Sequence, residues 1–183
     1  PSAKPARLAY AQLNADGSVN SVTVLGPDLP RNAPYASDDE GDATPRISYV
    51  DQYNRHYWRY LNDAASEKLV KGMRATPKPV SVRFVRGANA LVYSQEVNGV
   101  KQVFMLKMDS GKLTQITTDD GDKDLRTVPW MWAAPEFNGK LVLMTTVNET
   151  ELRFYRPMDQ DGDGVSTWTQ FHTIAMPTGA TVA

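Results

Sequence analysis

The chain contains no cysteine in its 183 residues. That absence removes disulfides, thiolate metal sites and cysteine nucleophiles together, and leaves the redox compartment open. Histidine is almost as scarce, with His56 and His172 the only two, far apart in the sequence. A nucleophile with a base beside it is therefore hard to assemble, and no Gly-x-Ser-x-Gly elbow is present. Two imidazoles without cysteine also fall short of a three- or four-ligand zinc site. Both histidines are expected as packing or surface residues on strands. There is no glycine-rich phosphate loop, and no apolar run nears the roughly 18 residues of a membrane span. No signal peptide is visible, and a chain opening on Pro1 reads as a processed protein or an expressed fragment. A net charge of −1 and a pI near 6.2 leave it without the basic face that nucleic-acid binding needs.

What is present is an ordinary soluble composition, 41% hydrophobic and 22% charged, enough for a sizeable core. Helical periodicity is nearly missing. The one stretch that hints at a helical turn, Asn62 to Leu69, reads better as a turn followed by a strand. Strand-like alternation and turn residues recur instead, as in an all-β chain. Four segments share one pattern of an inner strand, a polar turn and further strands. Their inner strands are Arg7–Tyr10, Arg46–Tyr49, Ala90–Tyr93 and Leu141–Met144. From Tyr10 to Tyr49, Tyr93 and Met144 the steps are 39, 44 and 51 residues, close to the roughly 40–50 residues of a propeller blade. A blade cannot bury both its faces alone, so neighbours must stack. The expected fold is an all-β β-propeller over residues 1–183. Its blades would lie at about 5–35, 44–75, 80–120 and 128–176. Leu8, Ile47, Val92 and Val142, near the ends of the inner strands, are the expected core between blades.

Residues 80–145 carry a family resemblance. Val82-Arg83-Phe84 through Gly87, then Ala90 to Tyr93, is similar to the strand-turn-strand entry of TolB-type, WD40-like propellers. Ala134-Pro135-Glu136-Phe137-Asn138-Gly139-Lys140 resembles that family's Trp-Ser-Pro-Asp-Gly-Lys element, with Phe137 inserted and Asn in place of Asp. The run from Gln102 to Thr117 resembles its apolar strand followed by Asp-x-x-Gly-Lys and Leu-Thr. The first two segments lack the Pro-Asp-Gly element. The resemblance implies a periplasmic or extracellular propeller that binds proteins, peptides or glycans, or that scaffolds an enzyme, and it assigns no function by itself. Such propellers usually have six or more blades. Four blades imply either a compact ring of four or five, or part of a larger one, and an open arc would favour a homodimer.

Two stretches carry candidate sites. Asp159-Gln160-Asp161-Gly162-Asp163-Gly164 matches the first half of a calcium loop. Asp159, Asp161 and Asp163 would converge on the ion, joined by the Val165 carbonyl and by Gln170 where a bidentate Glu normally stands. Ser166 replaces the usual apolar residue, and strands replace the flanking helices. The same run also reads as a solvated hairpin, because Asp-Gly is itself a turn signal. The second stretch, Tyr49 to Tyr60, is rich in aromatics. Alternation puts His56, Trp58 and Tyr60 on one face, as a sugar- or peptide-binding surface or as packing between blades. The acidic runs Asp38–Asp42 and Asp119–Asp124 read as solvated loops, with less suitable spacing for a second calcium.

Two functions fit. The favoured one is a non-catalytic interaction module that binds a protein or glycan partner, with no nucleic acid and no membrane span. The alternative is a carbohydrate-active enzyme using paired carboxylates, with Asp51, Glu96 and Glu149 as candidates. It would require two carboxylates facing each other about 5–10 Å apart.

Overall fold

The computed structural model describes residues 6–29, 35–38, 46–51, 53, 55–61, 63–73, 77, 79–85, 87–123, 130–158 and 167–177. Every regular element among them is a β-strand except one 3₁₀ turn at Pro135–Phe137. The chain divides into two compact units, Pro1–Val70 and Lys71–Ala183. Among the described residues its strands form four sheets, each antiparallel.

In the first unit, β1 (Ala6–Leu13) and β2 (Val19–Leu29) form a two-stranded hairpin. Its turn is closed by Asp16, whose Oδ1 accepts both the backbone N–H and the hydroxyl of Ser18. A four-stranded sheet follows, running in sequence order from β3 (Tyr35–Asp38) through β4 (Arg46–Val50) and β5 (His56–Tyr60) to β6 (Asp63–Leu69). Within the stretch read as a turn followed by a strand, Asp63–Leu69 forms the strand, and Asn62 lies outside the described residues. Asp51 makes the β4–β5 turn. Its Oδ1 accepts the N–H groups of Tyr53 and Arg55 at 2.8 and 2.9 Å, and its Oδ2 accepts Arg55 Nε at 2.7 Å.

In the second unit, β7 (Val80–Phe84), β8 (Ala90–Val97), β9 (Val100–Lys107) and β10 (Leu113–Gln115) form one sheet of consecutive strands. Asn98 and Gly99 both have positive φ, 52° and 82°. A two-residue turn of that kind matches the twist of its strands, so β8 and β9 pair without a register shift from Ala90↔Lys107 to Val97↔Val100. The other sheet contains β11 (Trp130–Ala134), β12 (Lys140–Val147), β13 (Glu151–Met158) and β14 (Thr167–Ala175), again in sequence order. Phe171 is an extra residue in β14, because Tyr155 pairs with Gln170 while Phe154 pairs with His172. This bulge turns the Phe171 ring towards Phe137 and Phe154, at 5.6 and 6.2 Å.

The two sheets of this unit share one core. Val85, Ala90, Val92, Val103, Met105 and Ile116 from the first meet Met131, Leu143 and Tyr155 from the second. Burying each large aliphatic here contributes about 1.5–3 kcal/mol. Of the four positions expected in the core, Ile47, Val92 and Val142 are buried. The side chain of Leu8 lies outside the described residues. Among the described residues, no helix is long and apolar enough to cross a membrane.

Candidate functional site

The strongest site is built by the segment that leaves β10. Thr117 holds this segment against β9: its hydroxyl donates to Gln102 Oε1 at 2.5 Å and accepts the Val103 N–H at 2.9 Å. Gln102 in turn donates its amide to the Asp119 carbonyl at 3.0 Å. The backbone of Asp119 is therefore fixed before its side chain makes any contact.

Asp119 through Lys123 then wrap around their own lysine. The Lys123 Nζ donates to the carbonyls of Asp119, of Asp120 at 3.1 Å and of Gly121 at 2.8 Å. It also lies 3.5 Å from Asp119 Oδ1, and the Lys123 side chain is 0% exposed. The ammonium occupies the place that a bound cation would take in an acidic loop, and removes that loop's self-repulsion. Asp122 ties the loop to both sheets. Its Oδ1 accepts the Lys101 N–H at 2.9 Å, and its own N–H donates to Asn148 Oδ1 at 2.8 Å. Gly121 permits this closeness, because at φ 89° a Cβ there would sit 2.5 Å from Val147 Cγ1.

The Asp119 carboxylate reaches β13. Its Oδ2 accepts the Tyr155 hydroxyl at 2.9 Å and an Arg153 guanidinium N–H. Arg153 is shared with Glu151 through Nε at 2.6 Å. Partial burial works to raise the Asp119 carboxyl, but Tyr155, Lys123 and Arg153 outweigh it and hold it below the usual range. Burial pushes Lys123 down, partly opposed by Asp119. Burial, with the bond to Asp119, pushes the Tyr155 phenol up.

Above this cluster lies an open groove of about 300 Å³. Ile116, Thr118 and Asp119 line one side. Tyr155 lies on β13, and Thr167 to Gln170 on β14. Trp168 packs partly against the shared core, leaving the rest of its indole to the groove.

The residues expected from sequence are distributed differently. His56, Trp58 and Tyr60 share a strand face, and the Trp58 and Tyr60 rings meet edge to face at 5.6 Å. His56, however, is only 3% exposed and rests against Ser48 Oγ at 3.2 Å, so its imidazole belongs to the interior and not to a ligand surface. Lys68 places its ammonium 5.6 Å from the Trp58 ring centre and so occupies one side of the aromatic pair. Asp159, Asp161, Asp163 and Val165 lie outside the described residues. Gln170 is exposed on β14 and donates its amide to Thr173 Oγ1 at 2.6 Å. Asp51 closes its own turn, and Glu96 is exposed opposite Lys101 on the β8–β9 hairpin. Among the described residues, no three acidic or histidine side chains converge as a metal site.

By sequence alone Asp119–Asp124 reads as a solvated loop, and Asp124 lies outside the described residues. The lysine inside that acidic run was the one available signal, whereas Arg153 and Tyr155 lie more than 30 residues away and carry no mark of their role. Compared with known proteins, the chain matches no family model and no curated sequence.

Proposed function

We propose that the protein is a non-catalytic interaction module built of propeller-like blades, and that it binds a protein or glycan partner through the Asp119–Tyr155–Trp168 groove. Three four-stranded sheets, each made of consecutive antiparallel strands, support the blade reading. The resemblance over residues 80–145 supports a periplasmic or extracellular setting.

The observation that carries the binding reading is the state of Asp119. A glycosidase needs two carboxylates facing each other, one of them holding its proton near neutral pH. Among the described residues lining the groove Asp119 is the only carboxylate, and it is a charged acceptor already engaged by Tyr155, Arg153 and Lys123. A fixed acceptor beside an indole orients a ligand without transferring a proton to it.

The test is to incubate the protein with immobilised polysaccharides and peptides, and to measure retention alongside newly released reducing ends. Retention without release is expected. Reducing-end release that disappears in Asp119→Asn would replace this reading with glycoside hydrolysis.

A further inference from the structure

We propose that the groove takes an uncharged oligosaccharide, with Trp168 as the stacking platform and Asp119 and Gln170 as acceptors for sugar hydroxyls. This rests on the binding reading above and narrows it to one ligand class.

Charge is the first argument. Among the described residues lining the groove, Asp119 is the only charged one. Lys123 and Arg153 already meet its charge, and Glu151 pairs with Arg153. Among the described residues of the groove, a charged ligand would find no free counter-charge to replace the hydration it loses on entering. A neutral polyol meets no such penalty. The Asp119 side chain nevertheless remains 33% exposed, which leaves part of its carboxylate to accept hydroxyls.

The polar lining is the second argument. Thr118 offers a hydroxyl that both donates and accepts, and Thr167, whose hydroxyl donates to the Met158 carbonyl at 3.4 Å, adds an acceptor. Gln170 gives its amide N–H to Thr173 and keeps its carbonyl oxygen as an acceptor. Beside them, Trp168 is held by the core, and an indole face attracts the weakly positive C–H edge of a sugar ring.

A peptide is served less well. It would be read by the backbone of β14, the end strand of its sheet among the described residues. The bulge at Phe171 breaks the register of that strand at its middle, and bulges of this kind obstruct strand addition.

Calorimetric titration with neutral cello-, xylo-, malto- and chito-hexaose tests the proposal, against oligogalacturonate, a chitosan hexamer and a pool of unstructured peptides. At least one neutral hexasaccharide should bind, with an affinity constant within about twofold between roughly 50 and 500 mM salt, because no charge is screened. Trp168→Ala should weaken binding about tenfold or more. Because Trp168 also touches the core, Gln170→Ala at the exposed strand position provides a second variant, expected to weaken binding about threefold. Trp130→Ala, outside the groove, should leave affinity unchanged. Binding confined to the charged oligomers or to peptides, and sensitive to Trp168, would overturn the neutral-oligosaccharide class while leaving the binding module intact. If no probe binds, both readings fall.

Discussion

The Tyr155 hydroxyl donates to Asp119 Oδ2 at 2.9 Å, joining residues 36 positions apart. One end of this bond is in the shared core, where Tyr155 is buried, and the other is at the wall of the groove. It therefore links the packing of two sheets to the orientation of the site's carboxylate. Tyr155→Phe keeps the ring and removes the donor. Urea unfolding should show a loss of about 2 kcal/mol, the usual worth of a hydrogen bond to a charged group. Carbon-detected titration should show the Asp119 carboxyl moving upward, because Tyr155 makes the largest contribution holding it down. A variant with unchanged stability and titration would remove this bond from the account.

Two lysines on the same loop system should behave in opposite ways. Lys123→Met leaves the inward carbonyls of Asp119, Asp120 and Gly121 without their donor, although Asp119 keeps Arg153 and Tyr155, and should cost about 1–3 kcal/mol, as for buried acceptors left unmade. Lys101 meets Asp122 only at 3.9 Å, with both side chains partly exposed. Lys101→Met should therefore change stability by less than about 1 kcal/mol. Equal losses in the two variants would mean that the ammonium cage contributes nothing special.

His56 should make the protein sensitive to mild acid. Burial lowers its pKa from 6.5 to about 4, and its Nδ1 has no hydrogen-bond partner. Between those values the unfolded chain binds the proton and the folded chain does not, so stability rises with pH. The contribution is complete above about pH 6.5 and is lost as pH falls towards 4, amounting to about 3 kcal/mol over that window. Denaturant melts across pH 4–7 should show this slope in the wild type, and a flatter profile in His56→Leu.

For the Asp159–Gly164 run, the spacing of its carboxylates predicts a calcium ion of modest affinity, since no bidentate Glu stands at the loop's last position. At a hundredfold excess of calcium over its dissociation constant, the folded state should gain about 2.7 kcal/mol. Melting midpoints in calcium and in chelator should therefore differ, and the difference should vanish in Asp161→Ala. Identical wild-type midpoints would make the run an Asp-Gly turn.

Turn chemistry and strand alternation are local, and local signals survived folding. Asn98-Gly99 produced its in-register hairpin, and Ile47, Val92 and Val142 are buried. Alternation also put His56, Trp58 and Tyr60 on a common face, but it could not say that one end of that face closes over the imidazole while the other stays half open. Burial depends on what packs above a strand, and a period of two carries no information about that.

The groove illustrates the same division. Composition alone settles that no thiol chemistry operates here, and the pattern of strands and turns alone determines the all-β class. Which charges meet is decided by tertiary structure. Asp119 and Lys123 are neighbours in one acidic run, but whether that run faces solvent or folds around its lysine depends on Gln102, Asn148, Arg153 and Tyr155, supplied by two other strands and a turn. Electrostatic and hydrogen-bond energies depend on separation in space, which the order of residues along a chain does not record.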